Sequence, residues 1–230
     1  MPVNQISKTA ILATFGLALT LSCSSRNDDP VSEPVFYEGE TYQTVVIGKQ
    51  TWMARNLNYD APGSICYDND PANCAIYGRL YNWVIAMALP EECEESECAD
   101  QMKTPHQGIC PDGWHVSSNE DWEELETYVT NKKGGQVARH LKAKNVWYIP
   151  SSQVVTDGKD SFGFAALPGG FGFGDASGNG KNIGDEGNWW TSSEDSIYEA
   201  FSWRMENYLV DMLNFSHWKT HFYSVRCVKD

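Results

Sequence analysis

Apolar positions in this chain follow two periods, a helical one in the first half and a strand-like one in the second. After an initial apolar run from Ile11 to Leu21 comes a polar stretch with Asn27-Asp28-Asp29, Pro30 and Pro34. The β-branched string Glu40-Thr41-Tyr42-Gln43-Thr44-Val45-Val46-Ile47 then predicts a strand. Gly48-Lys49-Gln50 turns it into a second strand at Thr51-Trp52-Met53-Ala54, a hairpin. The segment Leu80-Tyr81-Asn82-Trp83-Val84-Ile85-Ala86-Met87-Ala88-Leu89 predicts a helix stopped by Pro90. A second helix is expected to start near His115-Val116-Ser117-Ser118. Ser118 is its N-cap with Asp121 three residues on, Ser117 with Glu120 is the alternative capping box, and Trp122, Leu125 and Val129 line one face. A third, shorter helix is expected over 136–144. From Phe162 onward the pattern turns to strands and glycine loops, with Trp189-Trp190-Thr191-Ser192-Ser193 and three closing runs near 198–205, 208–214 and 221–228. Two to three helices followed by an antiparallel sheet make the class α+β.

The first apolar run carries an address. One basic residue, Lys8, precedes it, and Leu21-Ser22-Cys23-Ser24-Ser25 follows. That is the layout of a secretory signal with a small-residue cleavage site, to be set apart from fold reasoning. It resembles the lipobox of bacterial lipoproteins, with Thr20 where leucine is usual. The resemblance implies a signal peptide over residues 1–22, acylation of Cys23, a tether over 23–38 and a domain over 39–230. Two or three acyl chains anchor a protein stably where one does not. The expected location is the outer membrane or cell surface of a bacterium, with the membrane partner reached through the N-terminal lipid.

Setting Cys23 aside leaves an even set among the seven cysteines: Cys66, Cys74, Cys93, Cys98, Cys110 and Cys227. An exported chain meets an oxidising compartment, so disulfides are the default. Six cysteines permit about 15 pairings. Proximity suggests Cys66–Cys74 and Cys93–Cys98 as local staples, leaving Cys110 and Cys227 as a long-range pair. The competing reading is a zinc site from Cys93, Cys98, His106 and Cys110, whose spacings do not form matched knuckles.

The formal charge of −14 and pI of 4.7 argue against nucleic acid and anionic membrane surfaces as partners. The acidic string Glu91-Glu92-Cys93-Glu94-Glu95-Ser96-Glu97-Cys98 reads as a solvated loop.

Five strings together resemble the Fibrobacter succinogenes major paralogous domain family over about 39–230. They are Gln50-Thr51-Trp52-Met53-Ala54-Arg55-Asn56-Leu57-Asn58-Tyr59, Gly108-Ile109-Cys110-Pro111-Asp112-Gly113-Trp114-His115-Val116, Phe164-Ala165-Ala166-Leu167-Pro168-Gly169-Gly170, Trp189-Trp190-Thr191-Ser192-Ser193-Glu194 and Ser224-Val225-Arg226-Cys227-Val228. The family usually has proline at Ser117 and glutamate at Asp121 and Arg55. The resemblance implies a C-type-lectin-like fold in secreted or lipid-anchored proteins, and little chemistry.

No Gly-x-Ser-x-Gly elbow or His-Glu-x-x-His pair occurs, and the cysteine pair of formylglycine-generating enzymes has no counterpart. His115, beside a helix start, is expected to be a structural hydrogen-bonder. One string has calcium-loop spacing: Asp175, Ser177 and Asn179 at its first, third and fifth positions, Gly180 at the sixth and Glu186 at the twelfth. The competing reading is a plain glycine-rich turn. Asp68, Asp70 and Asn73 form a weaker second set. Of the adjacent Trp189 and Trp190, strand alternation requires only one to be buried, leaving the other to stack on a sugar. Trp203, Tyr208 and Trp218 are further binding candidates, with core burial as the competing expectation. The sequence thus points to a lipid-anchored surface domain that binds a glycan or a partner protein. The alternatives are an enzyme related to lectin-fold sulfatase modifiers and a display scaffold.

Overall fold

The computed structural model describes residues 32–149, 158–174 and 179–230, together with Met1. The apolar leader and Cys23 lie outside the described residues. The strands in chain order are β1 Val35–Tyr37, β2 Glu40–Tyr42, β3 Thr44–Ile47, β4 Gln50–Met53, β5 Trp114–Val116, β6 Phe171–Gly172, β7 Gly180–Lys181, β8 Glu186–Glu194, β9 Glu199–Glu206, β10 Leu213–Trp218 and β11 Cys227–Lys229. The helices are α1 Pro71–Tyr77, α2 Trp83–Ala86, α3 Asn119–Lys133 and α4 Val137–Leu141. The class is α+β, and every named strand pair is antiparallel. The arrangement is compatible with a C-type-lectin-like fold. None of the described helices is long and apolar enough to cross a membrane.

Two sheets organise the domain. One has the order β3-β4-β11-β5 and joins the two ends of the described chain; the other is β10-β9-β8. β1 pairs with β2, so strand structure begins upstream of Gly39. The expected hairpin forms with Ile47 opposite Gln50 and a two-residue Gly48-Lys49 turn. Gly48 has φ +68, as the first central residue of a II′ turn requires.

Strand alternation divides the core. Trp52 and Val228 face a cluster containing Trp122, Leu125, Val129, Leu141 and Phe164. Their neighbours Met53 and Cys227 face the opposite cluster, around Trp83, Tyr81, Trp114 and Val116. β8 lies between the same two clusters, with Trp189 in the first and Trp190 in the second. Both are fully buried. The expectation that one stays outside is corrected here: it assumed a sheet with one wet face, and this strand has two dry ones. Trp203 is also core, 5% exposed, and stacks on Trp122 with ring planes 14° apart.

Arg226 joins the two halves. Fully buried, it donates to the Met53 carbonyl (2.9 Å), the Phe164 carbonyl (2.7 Å) and Asn56 Oδ1 (2.8 Å), and lies over the Phe164 ring. Asn56 Oδ1 also accepts from Trp189 Nε1. Burial pushes the Arg226 guanidinium down to about 9.

All three disulfides form as proximity suggested: Cys66–Cys74, Cys93–Cys98 and Cys110–Cys227. This removes the zinc alternative, since three of its four ligands are spent and His106 Nε2 is bonded to the Met87 carbonyl. The helix at α3 starts as read: Ser118 Oγ accepts from Asp121 N while Asp121 Oδ2 accepts from Ser118 N.

Several element boundaries differ from expectation. The helix expected over 80–89 shrinks to α2, because Asn82 caps it by accepting from Ile85 N, and Leu80 and Tyr81 are extended, bridging Ile65 and Tyr223. α1 is not among the helices expected from the periodicity, although Asp70 caps it with Pro71 at its first position. The run 208–214 is strand only from Leu213; Lys142, wholly buried, donates to the carbonyls of Glu206 and Leu209 and holds a turn there. In 221–228 only the end belongs to β11, and Phe222, Tyr223 and Ser224 make isolated bridges.

Candidate functional site

The site begins with two strands and their register. In the β9–β10 pairing Glu199 lies opposite Trp218, so carboxylate and indole share one face of the sheet. Trp218 is 63% exposed and Tyr198, just before β9, is 54% exposed. Other aromatic side chains, Phe36 and Tyr148 among them, are as exposed; what sets Trp218 and Tyr198 apart is that both line one concave cleft. Ser196 fixes the turn between β8 and β9: its Oγ accepts from Glu199 N and Tyr198 N. Together with Thr220, Glu94 and Glu95, these residues line a cleft of about 480 Å³.

The opposite wall is the disulfide loop read from sequence as solvated. Its 3₁₀ turn, Glu91–Glu94, is pinned from beneath by Lys219. Lys219 follows Trp218 and points the other way, into the fold, where it is fully buried. Its Nζ donates to the carbonyls of Cys93 (2.9 Å), Ser96 (2.9 Å) and Ile197 (3.2 Å) and to Glu194 Oε1 (2.5 Å). Glu194 in turn accepts from Cys98 N and Ala99 N. One buried cation therefore holds both walls, the loop carrying Glu94 and Glu95 and the turn carrying Ser196 and Tyr198.

The electrostatics of the cleft are one-sided. Its lining holds Glu94, Glu95 and Glu199 and no basic side chain. Glu94 Oε1 accepts from Asn82 Nδ2 at 2.6 Å. Burial, and then the charges of Glu91 and Glu95, push the Glu94 carboxyl above its usual range. Behind Trp218 the His221 ring stacks at 6.3 Å, and His217 lies 6.0 Å from His221. Burial pushes His217 down to about 4, helped by His221 and Arg204, and burial lowers His221 as well. Both imidazoles are neutral near pH 7 and add no positive charge there.

Of the five aromatic candidates, the structure brings only Trp218 to this cleft. Trp189, Trp190 and Trp203 are core, and their indole N–H groups are used internally on Asn56, the Tyr81 carbonyl and Asn119. Tyr208 is half exposed but sits in the turn after β9, at the other end of the sheet. Glu94, Glu95, Ser196, Tyr198, Glu199 and Thr220 were not singled out from sequence. The signal available was an aromatic in a polar turn, Ser196-Ile197-Tyr198, but the register that sets Glu199 against Trp218 has no local signature.

Asp175 and Ser177 of the calcium-loop candidate lie outside the described residues. Its last position, Glu186, opens β8, accepts from Asn182 Nδ2 at 2.8 Å and lies 3.9 Å from Arg204. The neighbouring glycines have a packing role: a Cβ on Gly180 would fall 2.2 Å from the Tyr67 ring. The second set is also occupied internally. Asp68 accepts from Gly180 N, Asp70 caps α1, and Asn73 donates to the Tyr67 carbonyl. Among the described residues no group of three or more His, Cys, Asp or Glu is placed to hold a metal ion.

A second cleft of about 540 Å³ runs past His115, Asp121, Ser118 and His106. His115, Asp121 and Ser118 are bonded to one another or to neighbours. His115 bonds Asp121 through Nε2 at 3.1 Å and Asp230 through Nδ1 at 2.8 Å, the structural role expected of it. Burial alone would depress the imidazole; the bonds to Asp121 and Asp230 outweigh it and raise its pKa. Asp121 is partly buried, which alone would raise its pKa, and its bonds to His115 and Ser118 bring it below the usual value.

Compared with known proteins, residues 45–229 match the Fibrobacter succinogenes major domain. No curated protein and no solved structure matches the chain.

Proposed function

We propose that this chain, which belongs to the Fibrobacter succinogenes major domain family, is an exported, lipid-anchored surface domain that binds a glycan in the Trp218–Tyr198 cleft. The observation that carries the reading is the pair of large aromatic side chains held in water on the walls of a cleft. The flat faces of Trp and Tyr suit the apolar faces of pyranose rings, and Ser196 and Thr220 offer hydroxyls beside them. The wall-fixing network through Lys219 preorganises the cleft, which lowers the entropy cost of binding.

Anchoring rests on the sequence: the apolar leader, the small residues and the odd cysteine, Cys23. Three disulfides support an oxidising compartment. The enzyme alternative gains no observation. Every cysteine among the described residues is in a disulfide, and the His115 pair is occupied by the α3 cap.

The test is a glycan-array screen of the full chain beside its Trp218→Ala variant, with detergent partitioning of Cys23→Ser run in parallel. Glycan signals lost in Trp218→Ala and a shift of Cys23→Ser to the aqueous phase are expected. Signals indifferent to Trp218 would overturn the cleft as the site, and unchanged partitioning would overturn the anchor. Capture of a protein through the same cleft, with no glycan signal, would replace the glycan by a protein ligand.

A further inference from the structure

On the cleft reading above, on which this inference rests, the lining sets what the ligand must carry. The walls are aromatic and the lining is formally anionic, with Glu94, Glu95 and Glu199 against no basic side chain. An aromatic face attracts an organic cation through its quadrupole, and a nearby carboxylate completes the cage. The cross-strand register puts Glu199 beside the Trp218 indole, so both attractions act on the same place. Lys219 cannot neutralise the cleft, because its Nζ is turned inward onto Glu194 and three carbonyls.

A metal ion is the other cation to weigh. Calcium needs six to eight oxygens converging on a point. The three carboxylates are instead distributed around the cleft on two walls, and no three acidic side chains converge among the described residues. Spread charge between flat aromatic surfaces suits an extended organic cation. A lysine-bearing peptide would satisfy the charge, but the lysine side chain carries no ring to lie flat on the two aromatic faces.

We propose that the cleft lined by Trp218, Tyr198, Glu94 and Glu199 recognises a glycan bearing free amino groups, a glucosamine-type polysaccharide carrying protonated amines. The amine sits between the carboxylates and the Trp218 face, and the sugar ring stacks against Tyr198 or Trp218.

The experiment is calorimetric titration of the full chain with a β-linked glucosamine oligomer, its N-acetylated counterpart and a glucose oligomer of equal length, at low and high salt. A lysine-rich peptide is the fourth titrant. The amino-sugar oligomer is expected to bind about tenfold more tightly than either neutral oligomer, with the preference lost at high salt. The double variant Glu94→Gln/Glu199→Gln should erase the preference, and Trp218→Ala should weaken all sugar binding about tenfold or more, each with an unchanged melting midpoint. Neutral oligomers binding as tightly as the amino sugar would overturn the inference and leave the glycan reading standing. Binding of the peptide alone, through Trp218, would overturn both in favour of a protein ligand. Binding of none of the four, or amino-sugar binding untouched by the Trp218 and glutamate variants, would overturn the inference together with the cleft.

Discussion

Replacing Lys219 by Met tests whether one buried cation holds the two walls of the cleft. The substitution keeps most of the apolar volume and removes four hydrogen bonds, three to main-chain carbonyls and one to Glu194. What remains is a carboxylate whose side chain is 5% exposed and which has lost its countercharge. Breaking a buried pair from one side costs about 3–5 kcal/mol, much of it the penalty of the stranded charge. The two amides from Cys98 and Ala99 soften this, while the carbonyls of Cys93, Ser96 and Ile197 add to it, at about 1–3 kcal/mol for each that stays dry. These carbonyls lie in surface turns that can relax toward water, so the expected loss is about 4 kcal/mol. For a domain of this size that lowers the melting midpoint by roughly 8–16 °C. The cycle is completed by Glu194→Gln and the double variant. Neutralising Glu194 in the Lys219→Met background should return about 1.5–3 kcal/mol, and adding the cost of Glu194→Gln alone to that return gives the coupling between the two groups. Denaturant melts with the disulfides intact give the energies, and amide exchange at Cys98 and Ala99 reports whether the loop has been released. A loss below about 1 kcal/mol with no coupling would show that the walls stand without this pair, and the reasoning about preorganisation would fail.

Three further outcomes follow from the same structure. Removing both Cys110 and Cys227 by alanine substitution should cost about 4–5 kcal/mol, against about 2–3 kcal/mol for Cys66 with Cys74, because the first pair closes a separation of 117 residues and the second only 8; comparable losses in urea melts would refute the chain-entropy account. Stability should fall as pH rises above about 6.5, since a raised His115 pKa contributes fully below its unfolded value and fades as pH passes the folded one. The lowered Asp121 contributes above about 4 and is lost as pH falls through its folded pKa, so the pair is strongest between these limits. His115→Gln should flatten the alkaline side of a midpoint-against-pH curve, and an unchanged slope would count against the network. If the string is a plain glycine-rich turn, with Glu186 Oε1 accepting from Asn182, the melting midpoint should be the same in millimolar calcium and in EDTA; a rise abolished by Asp175→Ala or Glu186→Ala would support the calcium loop.

The parts of the fold legible in sequence were those with local or covalent causes. Ser118 and Asp121 announce α3 because the cap is made within four residues. The Gly48-Lys49 hairpin follows from one residue able to take a positive φ, and the disulfide pairs from cysteines close enough to meet. Asp70-Pro71 is an equally local signal for α1, a cap followed by proline at the first helical position. The fates of Leu80 and Tyr81 were different: residues apolar enough for a helix were drawn out straight by partners at Ile65 and Tyr223, the latter more than a hundred positions away. Tertiary pairing overrode a local preference there.

The site was illegible for a related reason, which also says what the recognisable strings are for. Trp52, Met53 and Asn56 of the first string, Phe164 of the third, Trp189 of the fourth and Arg226 of the fifth meet in or around one buried hydrogen-bonded cluster. Cys110 of the second string is tied to Cys227 of the fifth. Trp-rich strings suggested a binding surface because indoles serve cores and ligands alike, but an indole N–H buried with a partner belongs to the core. The residues that line the cleft fall outside these strings, and the contact between scaffold and cleft runs through Glu194, the last residue of the fourth. From that carboxylate the chain of cause passes to Lys219, then to the disulfide loop and the Ser196 turn, and only then to Trp218 and Tyr198. A scaffold built in this way can change the chemistry of its cleft, by substitution at Glu94, Glu95, Tyr198 or Trp218, without disturbing a single bond of the Arg226 cluster. Its binding preference is therefore expected to follow the cleft residues, and its stability the five strings together with the buried Lys219 and the disulfides.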